Sequence, residues 1–324
     1  MSTVFLGTND FAATILERLA ASGRHRPALV LTRPDRPRGR GRRLASPPVA
    51  ERARALGLAL EQPDSVNDAA TVQRIASVAP EAVVVCAFGA LIKEPLLSRH
   101  ELLNVHPSLL PRWRGAAPIE RAIMAGDEQT GVSILRLTAG LDSGPVCLAE
   151  PEPIGRDDTY GSLAPRLAEL GAALLLRVLE EKAQGRPPAF LEQDEAPATY
   201  AEKIGADDRL LDPSHDAREL ERIVRALHPH IGARVELPDG SLLGVHRAAL
   251  ASDPPPAPDP TREQRAAEPG AHGAGERRGV VSRDGRLLLL CAPGALELLV
   301  VQPPGGRAMD AEAYLRGHGL PGRA

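Results

Sequence analysis

The chain has 324 residues, with 39 Lys and Arg against 42 Asp and Glu, 43% hydrophobic residues and only 2% aromatics. That length suits two domains whose cores rest on Leu, Val, Ile and Ala, and a net charge of −3 gives no global reason to expect nucleic acid. No apolar stretch approaches the ~18 residues needed to span a bilayer, and the start, lacking a basic region and a long apolar run, predicts no signal peptide. Cys86, Cys147 and Cys291 are widely separated, without C-x-x-C spacing or neighbouring His. They read as reduced thiols of a cytoplasmic protein with no metal site. A monomer is expected.

Residues 3–6 form a short apolar strand. Asp10 is placed to cap a helix over 11–22, with Ile15, Leu16 and Leu19 on one face. A second strand covers 28–31. Residues 82–88 are a continuous apolar run, as in a strand buried on both faces. Further strands fall at 102–105 and 132–137, and a long helix at 162–182 closes the unit. This alternation predicts an α/β protein whose N-terminal domain, 1–188, is a Rossmann-like doubly wound parallel sheet. Residues 189–205 read as a linker after the Pro- and Gly-rich turn near Gln184. Beyond it, a helix over 216–227 carries Leu220, Ile223, Val224 and Leu227 on one face. Short strands follow at 233–237, 242–245, 280–282, 287–291 and 296–301. They predict a small antiparallel barrel or sheet in a C-terminal domain, 206–324. Residues 253–276 are Pro-, Ala-, Gly- and charge-rich, the composition of a disordered loop.

Gly7 follows the first strand and opens the first helix, where a dinucleotide fingerprint would sit. The second and third glycines of that motif are missing. A capped strand-to-helix turn is the preferred reading.

Asn104 and His106 are two apart at the end of an apolar strand, so their side chains project to one face. Pro107 then turns the chain and holds His106 extended. Ligands of open α/β sheets bind outside the carboxyl ends of strands. An amide donor beside an imidazole suits acyl transfer, in which an oxyanion is stabilised and a proton moved. A carboxylate to orient the ring is supplied by Asp142, in the Gly140–Leu141–Asp142–Ser143–Gly144 turn after the 132–137 strand. Alone, that turn would be an ordinary Asx turn. Here it follows a strand's carboxyl end, which is taken to lie on the same edge as His106.

Residues 32–43 hold Arg33, Arg36, Arg38, Arg40, Arg42 and Arg43 against a single Asp35, a local charge of +5 in an acidic protein. Their glycines and prolines exclude a helix. A solvated loop competes with a phosphate-tracking arm, and the clustering favours the arm.

The run Asn104-x-His106-x-Ser108-Leu109-Leu110-Pro111-x-x-Arg114-Gly115, followed by Gly140-Leu-Asp-Ser-Gly144, resembles the signature of the 10-formyltetrahydrofolate-dependent formyltransferases. Residues 7–12, the arginine stretch, 87–92, 111–119, 199–204, 298–303 and 313–318 are similar too. The resemblance implies a catalytic triad of Asn104, His106 and Asp142. It implies a cleft for the formyl-folate co-substrate lined by Phe88, Gly89, Leu91 and Ile92, by Ser108, Leu109, Leu110 and Pro111, and by the turn before Asp142. It implies a loop entering the acceptor end of an initiator methionyl-tRNA, which maps to Arg36, Arg38, Arg40, Arg42 and Arg43, and an OB-like C-terminal barrel that supports the tRNA. The reaction it implies is attack by the methionyl α-amine on the formyl carbon, with Asn104 and His106 donating to the oxyanion and His106 carrying the proton. An amino-sugar nucleotide is the alternative acceptor, and the arginine stretch favours the tRNA. The 253–276 stretch is longer and more Pro-rich than the family pattern.

Overall fold

The structure, a computed structural model, describes residues 1–38, 43–252 and 279–318. It divides into two compact units. One comprises residues 1–119, 128–154 and 162–203; the other comprises 120–127, 155–161 and the residues from 204 onward.

The first unit opens with β1 (Thr3–Gly7), α1 (Asp10–Ala21) and β2 (Leu29–Leu31). A short arm of β3 (Arg36–Arg38) and β4 (Arg43–Ala45) follows, then α2 (Pro48–Ala55), β5 (Leu60–Glu61), α3 (Ala69–Ser77), β6 (Ala82–Cys86), α4 (Leu96–Arg99) and β7 (Leu102–His106). The chain continues through β8 (Arg114–Gly115), α5 (Pro118–Ala125), β9 (Gln129–Arg136), β10 (Val146–Pro153), α6 (Tyr160–Ala183) and β11 (Tyr200–Ala201). Seven strands make one sheet in the order β10-β9-β7-β6-β1-β2-β5. Every residue of β1, β6 and β7 is buried, as expected of strands covered on both faces. The Rossmann-like reading therefore holds for β5, β2, β1, β6 and β7, which are all parallel.

Two pairings depart from the parallel expectation, because one strand, β9, runs against the others. β9 runs antiparallel to β7, and β10 antiparallel to β9. Strand direction leaves no trace in local alternation, so the sequence could not report it. A second difference is the cap of α1. The Asn9 side chain accepts the Ala12 amide at 3.1 Å, and Asp10 instead occupies the first turn, where its charge complements the helix dipole.

Order reverses between β1 and β6: β2 and β5 lie to one side, β7 to the other. The carboxyl ends of β1 and β6 therefore flank a switch point, the usual ligand crevice of an open α/β sheet.

The second unit contains α7 (Ala217–Leu227), β12 (Ala233–Glu236), β13 (Leu242–Leu250), β14 (Gly279–Arg283), β15 (Arg286–Leu290), β16 (Ala295–Gln302), β17 (Met309–Asp310) and α8 (Ala311–His318). The strands form an antiparallel half-barrel, β12-β13-β16-β15-β14, with β17 on β16. Asp216 caps α7 by accepting the Arg218 amide at 2.7 Å. Leu220, Val224 and Leu227 of that helix are buried in one cluster with Leu243, Leu296 and Leu298 of the sheet. The stretch expected to be a loop, 253–276, lies outside the described residues.

Candidate active site

β7 carries Asn104 and His106 side by side on one face, 9% and 4% exposed. The carboxylate of Asp142 reaches both. Asn104 Nδ2 donates to Asp142 Oδ1 at 3.1 Å, and Asp142 Oδ2 stands 3.6 Å from His106 Nδ1. Oδ2 also accepts the main-chain amide of Gly115 at 2.9 Å. Both carboxylate oxygens are thus anchored. The second N–H of Asn104 has no partner among the described residues.

The route by which Asp142 arrives differs from the expectation. Because β9 is antiparallel to β7, its carboxyl end lies beside Leu103, not beside His106. Residues 137–145 instead fold back over the face that bears Asn104 and His106. Asp142 turns the chain with a left-handed φ of +46°. Gly144 permits the return to β9: a Cβ there would lie 1.9 Å from the Arg136 carbonyl oxygen.

The His106 ring is fixed from its other side. Nε2 lies 2.8 Å from the carbonyl oxygen of Trp113. A carbonyl only accepts, so Nε2 carries a proton and Nδ1 is the nitrogen that faces Asp142. Trp113 has a φ of +62°. Its own amide donates to Thr199 Oγ1 at 2.9 Å, while the Arg114 amide donates to the Thr199 carbonyl at 2.9 Å. β8 and β11 then pair in parallel, Arg114 opposite Tyr200 and Gly115 opposite Ala201. The Arg114 side chain is 2% exposed and is held by Glu195 and Gln193. The bonded carboxylate of Glu195 raises the guanidinium pKa above its ordinary value, and Arg114 in turn lowers that of Glu195.

Ser108, Leu109, Leu110 and Pro111 form the turn after β7. Ser108 is fully buried, and its hydroxyl donates to the Arg112 carbonyl at 2.6 Å. Ser133, opposite His106 in the sheet, donates to the Ser108 carbonyl at 2.7 Å and accepts the Leu110 amide at 3.1 Å. The Leu110–Pro111 peptide is cis.

The loop after β6 stands at the switch point. Phe88 and Ile92 are buried at 5% and 8%, whereas Leu91 is 68% exposed and Gly89 and Ala90 are exposed. Three side chains hold its backbone. Thr8 donates to the Phe88 carbonyl at 2.7 Å, Arg33 to the Gly89 carbonyl at 3.3 Å, and Asn67 to the Leu91 carbonyl at 2.8 Å.

The arginine stretch is a two-stranded arm at its root rather than a shapeless loop, pairing Arg36 with Ala45, Pro37 with Leu44 and Arg38 with Arg43. Asp35 anchors it, accepting from Gln62 Nε2 at 2.7 Å and Ser46 Oγ at 2.9 Å. Those two bonds lower the Asp35 pKa. Arg36 is exposed, as is Leu44 at 72%. Arg40 and Arg42 lie outside the described residues.

Among the described residues no cluster of His, Cys, Asp and Glu has the geometry to hold a metal ion, and no helix is long and apolar enough to cross a membrane. All three cysteines are free thiols. Burial raises the pKa of Cys86, and pushes Cys147 up to about 11 and Cys291 up to about 12.

An amide, an imidazole and a carboxylate thus converge at the end of a buried strand, the kinds of group that acyl transfer calls on. Residues 1–179 match the family model described as formyl transferase, and residues 203–319 match that of the formyl transferase C-terminal domain. The chain belongs to the formyl transferase family. It is 42% identical to a methionyl-tRNA formyltransferase of Methylococcus capsulatus, over 100% of this chain and 99% of that protein. Among solved structures, HypX of Aquifex aeolicus in complex with tetrahydrofolic acid shares the fold with a TM-score of 0.62 at 18% identity. That match covers 99% of this chain and 47% of the other, so the chain spans about half the length of HypX. A methionyl-tRNA formyltransferase from Clostridium thermocellum matches with a TM-score of 0.54 at 13% identity, covering 78% of this chain and 94% of that one.

Several parts of the site escaped the sequence reading. The Trp113 carbonyl, the Gly115 amide and Arg114 lay inside the motif without an assigned task. Gln193 sits in a polar, Pro-bearing stretch with no periodic signal at all.

Proposed function

We propose that the chain transfers the formyl group of 10-formyltetrahydrofolate to the α-amine of methionyl initiator tRNA. The observation that carries the reading is the meeting of Asn104, His106 and Asp142 within 3.1 and 3.6 Å, in a chain 42% identical over its length to a methionyl-tRNA formyltransferase. The co-substrate supplies an activated formyl carbon on N10.

Asn104 and His106 are the donors to the oxyanion that forms as the amine adds. Asn104 has one uncommitted N–H for this, its other being spent on Asp142. Nε2 of His106 is tied to the Trp113 carbonyl, so Nδ1 is the atom that meets the reacting groups. The amine must lose one proton and N10 must gain one as the C–N10 bond breaks. Nδ1 of His106, beside Oδ2 of Asp142, is the relay. Pre-aligned donors of this kind are each worth roughly 2.7–4 kcal/mol of barrier.

The folate is assigned to the crevice at the switch point. Phe88, Gly89, Leu91 and Ile92 form one wall, and Ser108, Leu109, Leu110 and Pro111 form the other. An exposed Leu91 on a backbone tied down by Thr8, Arg33 and Asn67 suits a flat heteroaromatic ring. Ser108 shapes that wall from behind: it is fully buried, its hydroxyl is spent on the Arg112 carbonyl, and its own carbonyl accepts from Ser133. Arg36, Arg38, Arg40, Arg42 and Arg43 are assigned to the phosphates of the acceptor end. The assigned domains are 1–188 for catalysis and 206–324 for tRNA support, joined by 189–205. A cytoplasmic, monomeric enzyme completes the proposal; the free thiols and the tRNA substrate support the location, and sedimentation tests the monomer.

The decisive assay offers 10-formyltetrahydrofolate with charged initiator tRNA, an amino-sugar nucleotide or glycinamide ribonucleotide in parallel. Formylation of the tRNA alone is expected. Transfer to a small acceptor and not to the tRNA would sink the proposal.

A further inference from the structure

Residues 191–201, polar and Pro-bearing, lie against the back of the candidate site. Gln193 is the centre of that contact. Its Oε1 accepts from Arg114 Nε at 3.0 Å and from Nη2 at 2.9 Å. Its Nε2 donates to the main-chain carbonyls of Asp142 at 2.8 Å and Gly144 at 2.7 Å. Both lone pairs and both hydrogens of the amide are therefore used. The amide can face only one way, because Arg114 has only donors to offer and the two carbonyls only accept.

These bonds close a ring. Asp142 is held through its main chain by Gln193 and through its carboxylate by the Gly115 amide. Gly115 follows Arg114, which grips Gln193, and Trp113 before it grips the His106 ring. Glu195 stands outside the ring, its carboxylate bonded to Arg114 alone at 2.8 and 2.9 Å. The left-handed Asp142 carries little apolar packing of its own, with Leu141 62% exposed. Its position rests on hydrogen bonds.

We infer that Gln193 is a positioning residue for the reaction, setting the distance between the Asp142 carboxylate and His106 Nδ1 from outside the triad. This rests on the proposed formyl transfer. A displacement of about 1 Å at a reacting group costs on the order of 10²-fold in rate, so a side chain that never touches substrate can govern kcat.

The test compares Gln193→Glu with Glu195→Gln. Gln193→Glu keeps the size and the grip on Arg114 but turns a donor into a carboxylate oxygen facing two carbonyls. Glu195→Gln loosens Arg114 and leaves both Gln193–carbonyl bonds in place. Thermal denaturation identifies a temperature at which both variants are fully folded. There, Gln193→Glu is expected to lose at least 10-fold in kcat with KM for formyl-folate within about twofold of the parent, while Glu195→Gln stays within about threefold. The ring nitrogen signals of His106, read by NMR without turnover, should move in Gln193→Glu and not in Glu195→Gln. Equal losses in the two variants that track thermal stability, with unchanged His106 signals, would overturn the inference and leave Gln193 a fastener only. A parent protein that forms no formylmethionyl-tRNA would defeat the proposed function instead, and the His106 signals would still decide the role of Gln193.

Discussion

The Gly115 amide donates to Oδ2 of Asp142 at 2.9 Å, the same oxygen that stands 3.6 Å from the His106 ring. A backbone donor therefore aims the carboxylate, while the neighbouring Trp113 carbonyl aims the imidazole. Two consecutive peptide units act as the jig for a carboxylate and a ring that are 36 positions apart in the chain.

Removing the triad's polar atoms should stop catalysis and spare the fold. Asn104→Ala is expected to cut kcat by roughly 10²–10³-fold. Asp142→Asn offers one acceptor oxygen where two are now used, by Asn104 and Gly115, and a fall of at least about 10²-fold is expected. Single-turnover formylation measures both, with circular dichroism to show intact folding. Near-parental turnover in either variant would break the triad assignment.

Gly144→Ala places a Cβ 1.9 Å from the Arg136 carbonyl oxygen, so the turn must shift bodily. Overpacking of this kind costs roughly 1–3 kcal/mol, and the displaced Asp142 should cost activity as well. Gly205→Ala, whose Cβ would meet only Asp208 Oδ2 at 3.6 Å, serves as the control and should be close to neutral in melting temperature.

The arginine arm should act on the tRNA and not on the folate. Arg36→Ala and Arg40→Ala are each expected to weaken tRNA binding and to reduce the log–log salt slope by about 0.9 for each lost duplex phosphate contact. Titrations across a salt series measure this. An unchanged slope in both variants would remove the arm from the tRNA interface.

Stability in acid should depend on the Arg121–Asp208 pair, whose nitrogen and oxygen are 2.7 Å apart. Hydrogen bonding to Arg121 lowers the Asp208 pKa below its unfolded value of 3.8. The stabilisation is therefore fully present above that value and is lost as pH falls through the lower, folded one. Asp208→Asn should melt below the parent at roughly pH 6, and the gap should close on acidification below the ordinary carboxylate value of about 3.9. A gap that stays constant with pH would rule this out.

The strands that carry the site were legible because burial on both faces leaves long apolar runs, as in 82–86 and 102–106. The Asn104–His106 pair was legible because the two-residue period of a strand is a geometric constant. Asp142 was found by its turn chemistry, but its path was not, since alternation along β9 reads the same in either direction. Gln193 was invisible for a different reason. It contributes through a fully spent amide against main-chain carbonyls, and such bonds leave no pattern in side-chain hydrophobicity.

The pairing of β11 with β8 also has a bearing on how the enzyme matures. Strands β1 to β10 are complete by residue 153, yet the Trp113–Gly115 segment that aligns the triad is buttressed by residues 193–201. Domains generally fold from the amino end as they are made. The sheet therefore has its strands well before the groups proposed for catalysis have their supports, and competence waits for a short piece of chain that adds no strand to the sheet.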